Sequence, residues 1–586
     1  MSRTSKLRDL FSREWYELPF LLQLVALARM RAALRRHNLY DTRPAGGEPA
    51  PAPSRPRPGH RSYDGSGYDP RDADMGRAGT RFDRNAPPSL TVPDERLLSP
   101  NPREVCNRLL TRGDLIPAAT LNLLAAAWIQ FQNHDWFSHG DNRLTDPIEV
   151  PIAEGDHWHE RVMRVRRSRP DPTPHTAAGA APTYENTVTH WWDGSQLYGS
   201  SERRCRSLRT GEDGMMALQD GRLPDETAPG LAGIDLTGFN DNYWVGLALL
   251  HTLFVKEHNA ICGRLREAYP SWDDERLFQT ARLVNVAVMA KIHTVEWTPG
   301  ILDNRAVRLG MHTNWAGLLG PGFRRRHGRV GRGEVLSGIL GSPMDHHAAP
   351  YSMTEEFIAS YRFHPLIRDD YPVRSHRDGS LITTEELLPI QGRHTRAAVD
   401  RHGMSDWFYS FGVTNPGALT LHNHPQALRD LVRVSGERID VGTLDILRDR
   451  ERGVPRYNDF RRVLRKPPVT AFDRMTADPR WARELAEVYD GDPERVDATI
   501  GLLAEPKPPG FALSDTAFRV FVLMASRRLK SDPFFTDLYT PEVYSPEGLD
   551  WIDRTGMTEV LLRHHPELAP ALRGVPHAFA PWRTPA

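Results

Sequence analysis

The 586 residues include only three cysteines, Cys106, Cys205 and Cys262, far apart and without a CxxC pair. That excludes a paired-cysteine zinc site and a secreted disulfide framework, and predicts a reducing compartment. Net charge is missing as well, because 75 Lys and Arg balance 75 Asp and Glu. An even balance leaves no electrostatic basis for a nucleic-acid partner. No uninterrupted apolar run reaches the ~18 residues of a membrane-spanning helix. The start, Met-Ser-Arg-Thr-Ser-Lys, also lacks the apolar stretch of a secretion signal. Together these absences predict a soluble, cytoplasmic protein. Strand-like alternation is scarce, and no internal repeat is found.

What is present is material for a large core: 39% hydrophobic residues and 14 Trp. Helical periodicity recurs over 115–139, 245–268, 272–297, 352–364, 424–433, 443–450, 512–530 and 555–564, which predicts a mainly α body with little β. Residues 7–37 also read as an amphipathic helix, with Leu10, Phe11, Trp15, Leu21, Leu22, Val25 and Leu34 interleaved with Arg29, Arg31, Arg35 and Arg36. Such a helix either packs on the body or makes peripheral contact with a membrane surface. Residues 41–90 are dense in Pro, Gly, Arg and Asp and read as an extended arm covering the body, away from any chemistry. The division is therefore 1–94, helix and arm, and 95–586, the α-helical body.

Three segments carry chemistry. In WIQFQNHDWFSH (128–139), Gln130 and His134 are four apart on an apolar helix and point the same way, as functional groups or as a core histidine bonded to a carbonyl. In SMTEEFIASYRFHPLI (352–367), Ser352 and Glu355 have capping-box spacing and Pro365 ends the helix, which sets Tyr361 and His364 one turn apart. If His364 ligates a metal, Tyr361 is near enough to exchange an electron with it. In TVTHWWDGSQLYGS (187–200), Thr189, Trp191, Asp193 and Ser195 alternate and can converge oxygens on one side of a loop. Such hard ligands, with Asp135 adding a carboxylate, suit calcium; an ordinary Asp-Gly turn is the alternative.

In order and type these segments resemble the animal haem peroxidase and cyclooxygenase superfamily. The series QxxxHD, TxWxDxSxxYG, KIHTVEWT, YRFH and LRDRERGVPRYNDFRR is most similar to the fatty acid α-dioxygenases of plants and bacteria. The resemblance runs over nearly the whole chain. It implies a mainly α haem peroxidase fold and makes 95–586 a haem dioxygenase domain. His364 would hold the iron of a non-covalent haem b, with Asp445 as hydrogen-bond partner of its other ring nitrogen. His134 would be the distal base, with Gln130 on the same face.

The resemblance further implies calcium on Asp135, Thr189, Trp191, Asp193 and Ser195. It implies a radical on Tyr361 and a fatty acid carboxylate clamped by His293, Thr298 and Arg527. Arg528 is expected to face elsewhere, since successive helical residues diverge by about 100°. The implied reaction adds dioxygen at C2 of a long-chain fatty acid to give a 2-hydroperoxy acid. Asn240 stands where true peroxidases carry a distal arginine, and Tyr243 where they carry an acid, which weighs against peroxidase turnover. Pro533 replaces a second arginine expected of the plant enzymes. The competing expectations are a haem peroxidase, a mid-chain fatty acid oxygenase and a non-catalytic lipid-binding protein.

Overall fold

The computed structural model describes residues 14–43, 59–172, 181–228, 230–433 and 436–584. Leu10 and Phe11 of the first amphipathic segment, and 44–58 of the arm, lie outside them. Helices dominate, and those that position the site are labelled in chain order. They are α1 (Phe20–His37), α2 (Leu123–Trp136), α3 (Val245–Ala268), α4 (Asp274–Ile292), α5 (Arg305–Ala316), α6 (Gly320–His327), α7 (Glu355–Ser360), α8 (Val441–Glu451) and α9 (Asp515–Ser531).

Side-chain caps begin several of them. Asp273 accepts from Arg276 N, Asn304 from Ala306 N and Val307 N, Asp440 from Gly442 N and Thr443 N, and Ser514 from Ala517 N. Each satisfies amide groups that the helix itself leaves unpaired.

Among the described residues, strands occur only as short antiparallel pairs: 80–81 with 185–186, 148–151 with 162–165, 370–374 with 381–386, and 431–432 with 438–439. One hydrophobic core runs from Trp15 and Leu34 through α2, α3 and α4 to Trp582. Tyr68 and Phe82 of the arm belong to it, so the compositional boundary at residue 94 is not a gap in the packing. A smaller cluster sets Ile148, Val150, Met163 and Val165 of one hairpin against Leu447 and so buttresses α8.

Three expectations need correction. The 115–139 helix starts only at Leu123. The cap of α7 is Thr354 rather than Ser352, and α7 ends at Ser360. Tyr361 is therefore its C-cap and His364 opens a separate 3-10 turn, His364–Leu366, because Pro365 cannot continue an α-helix. Residues 424–433 form a short turn, Gln426–Leu428, and a strand, since Leu431 pairs with Ile439 and Val432 with Arg438.

Candidate active site

Two side chains that sequence spacing could not relate, His134 on α2 and His364 after α7, line one cavity of about 880 Å³. Gln130, Asn240, Tyr243, Tyr361 and Asp445 line it too. His364 donates from Nδ1 to Asp445 Oδ2 at 2.6 Å, which leaves Nε2 free to ligate. Burial works against an ionised Asp445, but His364 and the Arg362 guanidinium, 2.8 Å from Oδ1, hold it down at about 2. The His364 imidazole is thus backed by a permanent carboxylate.

Burial lowers the His134 pKa to about 4. The ring is neutral at pH 7 and can accept a proton. Gln130 accepts from Trp244 Nε1 at 2.7 Å and donates to Asn242 O at 3.2 Å, so its amide is fixed beside His134. Asn240 is bonded to Glu226 and the Asp235 carbonyl, and Tyr243 to Asp235 at 2.8 Å. Neither supplies a cation to the distal face.

Tyr361 also lines a second, narrow void of about 20 Å³ with His293, Thr298 and Arg528. His293 and Thr298 share a side because the His293–Trp297 segment is a π-turn. An extra residue in that turn brings i and i+5 together, where an α-helix would splay them. Lys291, donating to the carbonyls of Ile552, Asp553 and Thr555, and Trp297, donating to Ala125 O, pin the segment. His293 Nδ1 accepts from Trp128 Nε1 at 3.3 Å, so its hydrogen is on Nε2; burial, with Arg528 beside it, keeps the ring neutral.

Thr298 Oγ1 and Arg528 Nη2 are buried with no partner among the described residues. The Arg528 guanidinium sits 4.1 and 4.4 Å over the rings of Trp136 and Trp192 and pairs with no carboxylate among the described residues. A buried, unpaired cation beside a neutral imidazole and an orphaned hydroxyl is a site built for an anion. Burial raises the Tyr361 phenol well above its usual range, so it is protonated and can give up a hydrogen atom.

Arg527 does not enter this void. Its guanidinium donates to the carbonyls of His346, Ala349, Pro350 and Ser352 and anchors that loop. Contrary to the expectation for Arg527, it is the neighbouring Arg528 that lines the void, with Phe521, Ala525, Ser526 and Leu529 of α9, because the two arginines diverge around the helix.

Asp135, Asp193, Thr189 and Ser195 are buried together. Asp135 Oδ1 accepts from Ser195 N at 2.5 Å, and burial pushes its carboxyl up to about 7. Thr189 Oγ1, Asp193 Oδ2 and Ser195 Oγ are orphaned. Unsatisfied hard oxygens around a buried carboxylate fit a calcium ion. The Trp191 ring donates to Gly65 O and Met75 O, which leaves its carbonyl as the oxygen it can offer.

The arm reaches this loop, contrary to the reading of it as a cover. Arg61 is buried between Asp193, at 2.9 Å, and Asp532, at 3.0 Å, and Tyr68 donates to Asp193 at 2.7 Å. Gly76, at φ +69°, lets the backbone lie on Trp191, where a Cβ would come within 2.5 Å of the indole.

This geometry agrees with comparisons to known proteins. The profile of the animal haem peroxidase family matches residues 60–575. The chain belongs to that family. Within it, the chain is 36% identical over 587 residues to Alpha-dioxygenase 2 of Arabidopsis thaliana, covering 97% of this chain and 91% of the relative. It is 35% identical to Alpha-dioxygenase PIOX of Oryza sativa subsp. japonica, covering 97% and 93%. The solved structure of the Oryza sativa fatty acid alpha-dioxygenase, as a Tyr-to-Phe variant with palmitic acid, superposes with a TM-score of 0.90 at 33% identity, over 99% of this chain and 97% of that one. The animal haem peroxidase fold and its alpha-dioxygenase branch are thus the chain's own.

Proposed function

We propose that the chain is a haem-dependent fatty acid α-dioxygenase that adds dioxygen at C2. One observation carries the reading: Tyr361 lines both the cavity between His134 and His364 and the void that holds the anion-binding trio. His364 would hold a non-covalent haem b and Asp445 would orient that ligand. The haem supplies the one-electron oxidation that starts the cycle.

Every further step belongs to the protein. Arg528, His293 and Thr298 bind the carboxylate, which sets C2 beside the phenol. Tyr361, once oxidised to its phenoxyl, takes a hydrogen atom from C2; dioxygen adds to the carbon radical; the peroxyl takes a hydrogen atom back from Tyr361. The balance is one acid and one dioxygen to one 2-hydroperoxy acid, with the phenoxyl restored. His134 accepts the proton of an activating hydroperoxide, and Gln130 holds the same face. Calcium on Asp135, Thr189, Trp191, Asp193 and Ser195 would fix the loop that follows α2. The palmitic acid bound by the rice relative supports a long-chain acid as substrate. The buried free thiols Cys106, Cys205 and Cys262 support a reducing, cytoplasmic setting.

Oxygen uptake with palmitate, with mass spectrometry of the product, tests the scheme. Tyr361→Phe should keep the haem spectrum and lose 2-hydroperoxide formation by at least about a thousandfold. His364→Ala should lose the Soret band. Undiminished turnover of the Phe variant would exclude the radical role.

A further inference from the structure

Among the described residues, sixteen large apolar side chains are exposed, and nine of them fall in three neighbouring segments. Leu21, Leu22 and Val25 lie on the outer face of α1, 71%, 38% and 46% exposed. Leu318, Leu319 and Phe323 lie in and before α6, and Val330, Val335 and Leu336 follow it. Residue contacts join the segments: the Arg305 guanidinium of α5 packs 4.4 Å over Phe20, and Arg31 of α1 bonds Asn314 of α5 at 2.9 Å and pairs with Glu334 at 3.7 Å. Nine exposed large apolar side chains in neighbouring segments are more than scattered surface positions account for, and such a grouping marks an interaction site.

Charge selects the partner. Phe20–His37 and residues 317–336 together contain nine arginines and one acidic residue, Glu334, which pairs with Arg31, in a chain whose overall charge is balanced. Arg29, Arg36, Arg326 and Arg332 are exposed and make no ion pair among the described residues. Apolar side chains ringed by free guanidinium groups match an anionic lipid surface, where the chains enter the acyl boundary and the cations meet headgroups. A second copy of the chain fits poorly, since a two-fold interface would set the same arginines against each other. No helix among the described residues is long and apolar enough to cross a membrane, so the contact would be a surface one.

The position of this face gives it a purpose that rests on the fatty acid reading above. The inner side of α1 roofs the void beside Tyr361: Arg31 bonds Asn314 and Arg35 bonds Ser526 at 2.8 Å, and both partners line the void. The void itself is far smaller than the roughly 300–1,000 Å³ of a ligand pocket, so the acyl tail must part these elements.

We propose that α1, α6 and residues 330–336 form a docking face for an anionic lipid surface, from which the fatty acid passes to the active site past α1. Flotation with vesicles of phosphatidylcholine alone, and of phosphatidylcholine with phosphatidylglycerol, tests it on the whole holoprotein. The wild type should float with the anionic vesicles and be released by high salt. The triple variant Leu21→Ser, Val25→Ser, Phe323→Ser should lose about tenfold in bound fraction and in turnover of vesicle-borne palmitate. Its haem spectrum and its turnover of dissolved octanoate should be unchanged, which separates docking from chemistry. Equal flotation of the variant, no flotation of the wild type, or a dimer in sedimentation that the variant abolishes would each overturn the proposal.

Discussion

At the scale of single residues, the decisive contrast is between two adjacent arginines on α9. Both are almost wholly buried, at 1% and 2% exposure, yet Arg527 is saturated by loop carbonyls while Arg528 has an unpartnered nitrogen facing the void. Arg528→Ala should therefore raise KM for a fatty acid by about tenfold to a hundredfold, the worth of a charge-assisted hydrogen bond. Arg527→Ala should leave KM within about twofold and lower Tm, because it strips partners from buried carbonyls. Steady-state kinetics and a thermal melt of both variants decide the matter, and the opposite pattern would return the clamp to Arg527. Sequence alone could not choose, since both arginines continue apolar rows of α9: Arg527 that of Val520 and Met524, Arg528 that of Phe521 and Ala525. By contrast, the motifs that carry the family resemblance already grouped Tyr361, His364, His134, His293 and Thr298, and the structure sets them around two spaces that share Tyr361.

Among elements, long helices were the most readable from the chain. The limits of α3 match its periodicity from Val245 to Ala268, since nothing but helix buries so continuous a run. Turns were less readable. The π-turn at His293 leaves no periodic trace, and residues 424–433 carry helical spacing that strand pairing overrides. One consequence of how α3 is buried can be measured. His258 on that helix is held between the Tyr198 hydroxyl and the Gly214 carbonyl, each at 2.9 Å, and burial lowers its pKa from 6.5 to about 4. Its folded pKa lies below its unfolded one, so only the unfolded chain takes up the proton as pH falls from 6.5 to about 4. Stability is lost across that window, by up to about 1.4 kcal/mol per pH unit for this group. His258→Gln removes the titration: the variant should be less stable at pH 7, and its deficit against wild type should shrink by about 3 kcal/mol by pH 4. Urea unfolding at both pH values reads this directly, and a constant deficit would contradict it.

For the molecule as a whole, composition divides the chain at residue 94, whereas electrostatics ties the two parts together. Glycine and proline in the arm say only that its backbone is irregular; they are silent on where Arg61 and Arg84 go. Arg61 is the buried counter-charge of Asp193 and Asp532. Arg84 pairs with Glu356 at 3.0 Å on α7, five residues before Tyr361, and donates to the Arg452 carbonyl at 2.7 Å. Removing one partner of such a buried pair costs about 3–5 kcal/mol, because the remaining charge stays desolvated. Two losses of that size approach or exceed the ~5–15 kcal/mol that holds a typical domain folded. A chain cut to residues 95–586 should accordingly fail to bind haem and should aggregate, although every residue assigned to iron, substrate and calcium is still in it. The single change Arg61→Met should act as a partial version of the cut, lowering Tm and weakening calcium retention against a chelator while the Soret band persists. If the 95–586 fragment instead purifies soluble and haem-loaded, the arm is an accessory, and the active site stands without the charges it now borrows.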